Sequence, residues 1–182
     1  NERFEHAAIA IFVAMVLDGA DGRIARLTNT QSDFGAEYDS LSDVVSFGIA
    51  PALVMYQWAL APMGKLGWIA SFFYAAATAL RLARFNTQLG VADKRYFQGL
   101  PCPAAAGVIA GLLWVGVEQE LSGPDVAPVA LVALVFSGAL MVSNVRFNSF
   151  KEFDLKGRMP FVMTLAIVLV MAAVSYDPPI VL

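Results

Sequence analysis

The segment DGADGRIARLTNTQSDFGAEYDSLSD (18–43) puts four aspartates, Asp18, Asp21, Asp39 and Asp43, between two strongly apolar runs. Asp18 and Asp21 are three residues apart, and Asp39 and Asp43 four apart, so on helices each pair shares a face. The short linker LTNTQS joins the two helices, and Thr30 or Ser32 is placed to cap the second. The helices are then antiparallel neighbours whose acidic faces can meet near one end. Four carboxylates so placed repel: at an effective dielectric of about 20, a pair about 5 Å apart costs roughly 3 kcal/mol. Protonation, cation pairing or metal binding relieves this. Arg23 and Arg26 are too few for four charges. Hard oxygen ligands from two helices suit Mg²⁺ or Mn²⁺. Two such ions could share the carboxylates, as in sites that clamp a phosphoryl group.

Small residues flank the acids. Gly22, Ala25 and Gly35 thin the two helices beside the acidic faces, so a bulky group such as a nucleotide can approach the backbone. A single membrane-embedded aspartate is often a packing or pairing residue, but intramembrane acids are otherwise functional by default. Four on two facing helices argue for a site. A cation or proton transporter would use the same carboxylates, yet it would not need the small residues. Nor does the chain show inverted halves with paired broken helices.

The elements that must position these groups are membrane helices. Of 182 residues, 58% are hydrophobic and only 15% charged, and the mean hydropathy is +0.65. A soluble domain is nearer half apolar and a quarter charged. The net charge of −3 argues against a nucleic-acid partner, and the single Cys102 excludes an intrachain disulfide framework and reads as a small buried residue. Six apolar stretches stand out, near 6–26, 33–60, 67–84, 103–117, 126–143 and 160–176. The fold expected is all-α, a polytopic transmembrane bundle forming a single domain over 1–182. Several stretches are shorter than the roughly 20 residues that cross a bilayer, so tilt must make up the difference. Gly107 and Gly111 form a G-x-x-x-G pair that is a candidate for helix association. Trp58, Trp68 and Trp114 lie near helix ends, as interfacial aromatics do, and His6 lies at the opposite end from the acids.

Basic residues orient the bundle. Alternating connections carry Arg23 and Arg26, then Arg81, Arg84, Lys94 and Arg95, then Arg146, Lys151, Lys156 and Arg158, ten of the twelve Lys and Arg. The positive-inside rule puts these connections, and the acids with them, in the cytoplasm. The chain opens on Asn1 rather than Met, shortly before an apolar run, and this topology leaves Asn1 outside. We therefore expect a fragment lacking an N-terminal helix.

The spacing D-x-x-D-G-x-x-A-R, eight residues, then G-x-x-x-D-x-x-x-D is met by Asp18, Asp21, Gly22, Ala25, Arg26, Gly35, Asp39 and Asp43. It resembles the signature of the CDP-alcohol phosphatidyltransferase family at every fixed position. The resemblance implies that Asp18, Asp21 and Asp39 bind metal, and that Asp43 binds the second metal and acts as general base. It places Gly22, Arg26 and Ser32 on the CDP-lipid, with Ala25 and Gly35 on the same side. It also implies two Mg²⁺ or Mn²⁺ ions and a homodimer.

The segments DSLSDVVSFGIAPALVMY (39–56), ALRLARFN (79–86) and KRYFQGLPCPAAAG (94–107) are similar to the integral-membrane phosphatidylserine synthases of bacteria and archaea. That likeness covers roughly the first 110 residues. It implies CDP-diacylglycerol as donor, L-serine as acceptor, and a place among the lipids of a bacterial or archaeal cytoplasmic membrane. Serine's carboxylate wants a guanidinium fork. Arg81 and Arg84 share a helix face, with Asn86, Arg95 and Gln98 near in sequence, and these five are the acceptor-site candidates. Glycerol 3-phosphate or inositol phosphate would want the same cations even more. Arg81 and Arg84 also read as charges that set topology, and Arg146, Lys151, Lys156 and Arg158 as contacts to lipid headgroups.

Overall fold

The computed structural model describes residues 2–28, 32–88 and 96–148. They form α1 (Glu2–Thr28), α2 (Asp33–Asp43), α3 (Ala50–Met55), α4 (Lys65–Gln88), α5 (Cys102–Glu118) and α6 (Gly123–Val142), with two three-residue strands, β1 (Tyr96–Gln98) and β2 (Arg146–Asn148). α2 and α3 belong to one continuous rod. A π-helical stretch, Val44–Ile49, joins them, a second, Tyr56–Leu60, extends α3, and a 3₁₀ turn, Ala61–Met63, ends the rod. The rod replaces the single helix expected over 33–60.

Five helical spans therefore stand where six were expected; the sixth, 160–176, and the helix expected ahead of the chain lie outside the described residues. Three spans, Phe34–Met63, Lys65–Thr87 and Gly123–Val142, are long and apolar enough to cross a membrane, and Cys102–Glu118 is a shorter apolar helix.

The packing is that of helices in lipid. Small residues fill the interior: Ala77, Ala105, Ala106, Ala110, Ala127 and Ala130 are buried, while Leu53, Phe72, Val132 and Phe136 are exposed. In a bilayer the hydrophobic effect does not separate such side chains, and close backbone approach over small residues holds helices together. α4 packs on α6, and α1 on α5.

Trp58 is buried, not interfacial as its position suggested. Its indole fills the space over Gly116 and its carbonyl lies against Gly123, so a Cβ at either glycine would collide with it. Trp68 stays exposed and stacks on Phe72 with ring centroids 5.4 Å apart. Gly107 is spent inside the chain: a Cβ there would touch Met15 Cε of α1 at 3.3 Å.

The segments that lead into α5 and out of α6 meet at one end of the bundle. There β1 and β2 pair antiparallel, Tyr96 opposite Asn148 and Gln98 opposite Arg146. Gly99 follows at φ +76°, a left-handed conformation that glycine adopts freely, and its N–H donates to Val145 O at 2.9 Å. Its Cα lies against the carbonyl of Met141, where a side chain would not fit. The connections α4–α5 and α6 onward are thereby bound to each other.

Candidate active site

The acidic faces of α1 and α2 meet as their spacing requires. Carboxylate oxygens of Asp18, Asp39 and Asp43 lie within 4.8 Å of one another. Asp18 and Asp43 are half-buried and Asp39 is exposed. Asp18 and Asp43 come within hydrogen-bonding reach. Asp21, one turn further along α1, is exposed and stands outside this trio, although its charge still reaches Asp39. Three carboxylates from two helices form an all-oxygen, hard donor set, which is the kind that holds Mg²⁺ or Mn²⁺.

Local sequence explains how α2 presents its acids. Ser32 caps the helix: its Oγ accepts from the Gly35 N–H at 3.0 Å. This is one of the two caps expected from the linker. Gly35 is needed close to that cap, since a Cβ would come within 3.1 Å of the Ser32 Oγ. Gly22, Ser32 and Gly35 are all exposed beside the acids. That leaves the flank of the trio open to a large ligand. Ala25 and Arg26 lie on the last turns of α1 and are described by backbone alone.

Asp43 sits where the regular helix stops. The π-stretch begins at Val44, and π-turns recur at functional sites. On the far side α4 supplies Arg81, whose charge acts on Asp43. Arg81 Nη1 donates to Cys102 Sγ at 3.1 Å, and its Nε is buried without a partner among the described residues. Cys102 is buried as expected, and it also receives this guanidinium at the start of α5.

The other acceptor candidates separate. Arg84 turns away from the acids: Nη1 donates to Val142 O at 3.3 Å and Nη2 to Asn144 Oδ1. It closes the carboxyl end of α6, where a cation complements the helix dipole. Asn86 Nδ2 donates to Ser40 Oγ of α2 at 3.0 Å. Gln98 lies in β1 by its backbone, and Arg95 falls outside the described residues. Sequence reasoning missed Ser40 and Cys102 as partners. Their only signal was position: Ser40 falls between two of the acids, and Cys102 sits in the LPCP segment that opens α5.

Fold and site together define an integral membrane protein of helical-bundle type with a carboxylate cluster close to Arg81 and the start of α5. The profile of the CDP-alcohol phosphatidyltransferase family matches residues 1–143, and the chain belongs to that family. The CDP-diacylglycerol–serine O-phosphatidyltransferase of Helicobacter pylori is 39% identical over 150 residues, covering 82% of this chain and 63% of that protein. The protein of the same name in Methanocaldococcus jannaschii is 38% identical over 140 residues, covering 77% of this chain and 62% of its own length. That of Bacillus subtilis is 34% identical over 146 residues, covering 80% and 76%. The chain thus spans less than two thirds of the length of the first two.

Proposed function

We propose that this protein transfers the phosphatidyl group of CDP-diacylglycerol to the hydroxyl of L-serine, releasing CMP and phosphatidylserine. The observation that carries the reading is the convergence of Asp18, Asp39 and Asp43 within 4.8 Å in a chain of this family. Relatives bearing the serine-transferase name are similar over most of the chain, and that similarity supports serine.

Asp18, Asp21, Asp39 and Asp43 would hold two divalent ions, Mg²⁺ or Mn²⁺. When bound, such ions offset charge on a diphosphate and its leaving oxygen. The chain's own groups do the rest. On this reading Gly22, Ala25, Arg26, Ser32 and Gly35 receive the CDP moiety. Asp43, at the inner edge of the trio, takes the proton from the serine hydroxyl. The hydroxyl oxygen forms its bond to the lipid-bearing phosphorus as the bond to the CMP oxygen breaks. Arg81 is the group best placed for serine's carboxylate, because its charge already reaches Asp43 and its Nε has no partner among the described residues. General-base help of this kind is worth about 10²–10⁴-fold in rate.

The same reading takes residues 1–182 as one domain, acting as a homodimer in a bacterial or archaeal cytoplasmic membrane. Its site faces the cytoplasm, as the bias of Lys and Arg toward that end supports. The test is an acceptor panel of serine, glycerol 3-phosphate, inositol, inositol phosphate and choline, scored by CMP release from CDP-diacylglycerol. Release with serine alone is expected. Release with a different alcohol only would keep the family chemistry and overturn serine.

A further inference from the structure

The helix carrying Asp39 and Asp43 is held by little. α2 packs chiefly on the π-stretch that continues it, and its Phe34, Tyr38 and Leu41 are exposed. A π-stretch replaces i→i+4 bonds by i→i+5 bonds, so regular helix geometry does not carry the facing of the rod across it. Among the described residues, the bond from Asn86 Nδ2 to Ser40 Oγ, 3.0 Å, joins α2 to α4 across 46 positions of sequence. The Ser40 hydroxyl in turn donates to Ala36 O at 3.0 Å, so it both accepts and donates. Ser40 lies roughly 100° around the helix from Asp39 and roughly 60° from Asp43, on the same side of both. A pull on Ser40 from α4 therefore turns both acids one way.

We propose that Asn86 is a positioning residue. Acting through Ser40, its amide sets the rotation of α2 so that Asp39 and Asp43 meet Asp18. This rests on reading the trio as the phosphatidyl-transfer site, and it gives Asn86 a role other than binding the acceptor. Both residues are in helices, where alanine is favoured, so alanine variants isolate the hydrogen bond from the fold.

The experiment compares Asn86→Ala, Ser40→Ala, the double variant and Ser40→Thr in the full-length protein in detergent. Mn²⁺ binding is followed by electron paramagnetic resonance without substrate, and KM is measured for serine and CDP-diacylglycerol. Each alanine variant should weaken Mn²⁺ binding about tenfold, the low end for an outer-shell partner of a metal-binding carboxylate. The double variant should be no weaker than the worse single one, because both changes remove one bond. Ser40→Thr keeps the hydroxyl and should bind like wild type, and the serine KM should not move. Wild-type Mn²⁺ binding in Ser40→Ala, or losses that add in the double variant, overturns the proposal. So does a raised serine KM in Asn86→Ala with normal Mn²⁺ binding, which would return Asn86 to the acceptor. A wild-type protein that binds Mn²⁺ but releases no CMP with any alcohol would sink the transfer reading instead, and the resonance titration would still decide the role of Asn86.

Discussion

The phenol of Tyr74 on α4 donates to the carbonyl of Phe47 at 3.1 Å, and both side chains are almost wholly buried. In an unbroken α-helix that carbonyl would receive the N–H of residue 51, but residue 51 is proline and has none. Tyr74 thus supplies a donor that the rod lacks at its first π-stretch. One turn along α4, Thr78 packs against Gly48, where a Cβ would lie 3.0 Å from Thr78 Cβ. This seam, four residues beyond Asp43, anchors the rod beneath the acids.

Removing that phenol leaves a buried carbonyl with one fewer donor. Tyr74→Phe should destabilise the protein by about 1–3 kcal/mol, the usual result of orphaning a buried polar group. Thermal unfolding in detergent measures it, and an unchanged midpoint would refute the role given to Tyr74.

Trp58 offers a second contrast. Gly123 lies against its carbonyl and Gly116 against its indole, whereas nothing stands within 4 Å of a Cβ at Gly111. Gly123→Ala should lose about 1–3 kcal/mol by overpacking. Gly111→Ala should be neutral or gain up to about 1 kcal/mol from helix propensity. The two midpoints, measured side by side, check the order.

The two arginines of ALRLARFN should part company. Arg84 closes the end of α6, so Arg84→Ala should cost about 1–2 kcal/mol of stability with serine KM unmoved. Arg81→Ala should raise the serine KM about tenfold or more, as expected when a charged hydrogen bond worth 1.5–3 kcal/mol is lost. Steady-state kinetics with both variants separates them.

Chelation should abolish CMP release, and added Mg²⁺ or Mn²⁺ should restore it. Asp43→Asn should lower turnover by about 10²–10⁴-fold while much of the CDP-lipid binding remains, because the base acts on the acceptor. Asp21→Asn should lose less than Asp18→Asn, since Asp18 belongs to the close trio and Asp21 does not. Equal losses at the two positions would place Asp21 as deeply in the site as Asp18.

Much of this was legible from spacing alone. Acids at i, i+3 and i, i+4 on two linked helices must face each other, and Asp18 meets Asp39 and Asp43 accordingly. The helices also fall near their apolar runs: 67–84 became Lys65–Gln88, and 103–117 became Cys102–Glu118. Local pattern could not reveal which side chains bond across helices. Asn86 and Arg84 are two residues apart and equally polar, yet one reaches α2 and the other α6. The burial of Trp58 depends on glycines more than 50 positions away in the chain, a relation no short window contains. The π-stretches left only a faint trace, Pro51, whose missing N–H favours but does not dictate a register break.

The π-stretch Val44–Ile49 makes the site sensitive to how the rod is wound. Residues on either side are out of phase relative to a uniform α-helix, and the acids and the anchored seam are aligned only with that offset in place. Winding the stretch's six residues as ordinary α-helix would add about one residue's rotation and swing Asp39 and Asp43 about 100° away from Asp18. The rod could stay helical and apolar while the trio came apart. In this segment winding is therefore as constrained as composition: a one-residue deletion that restores α winding keeps the acids in phase, whereas the full count wound as α-helix does not.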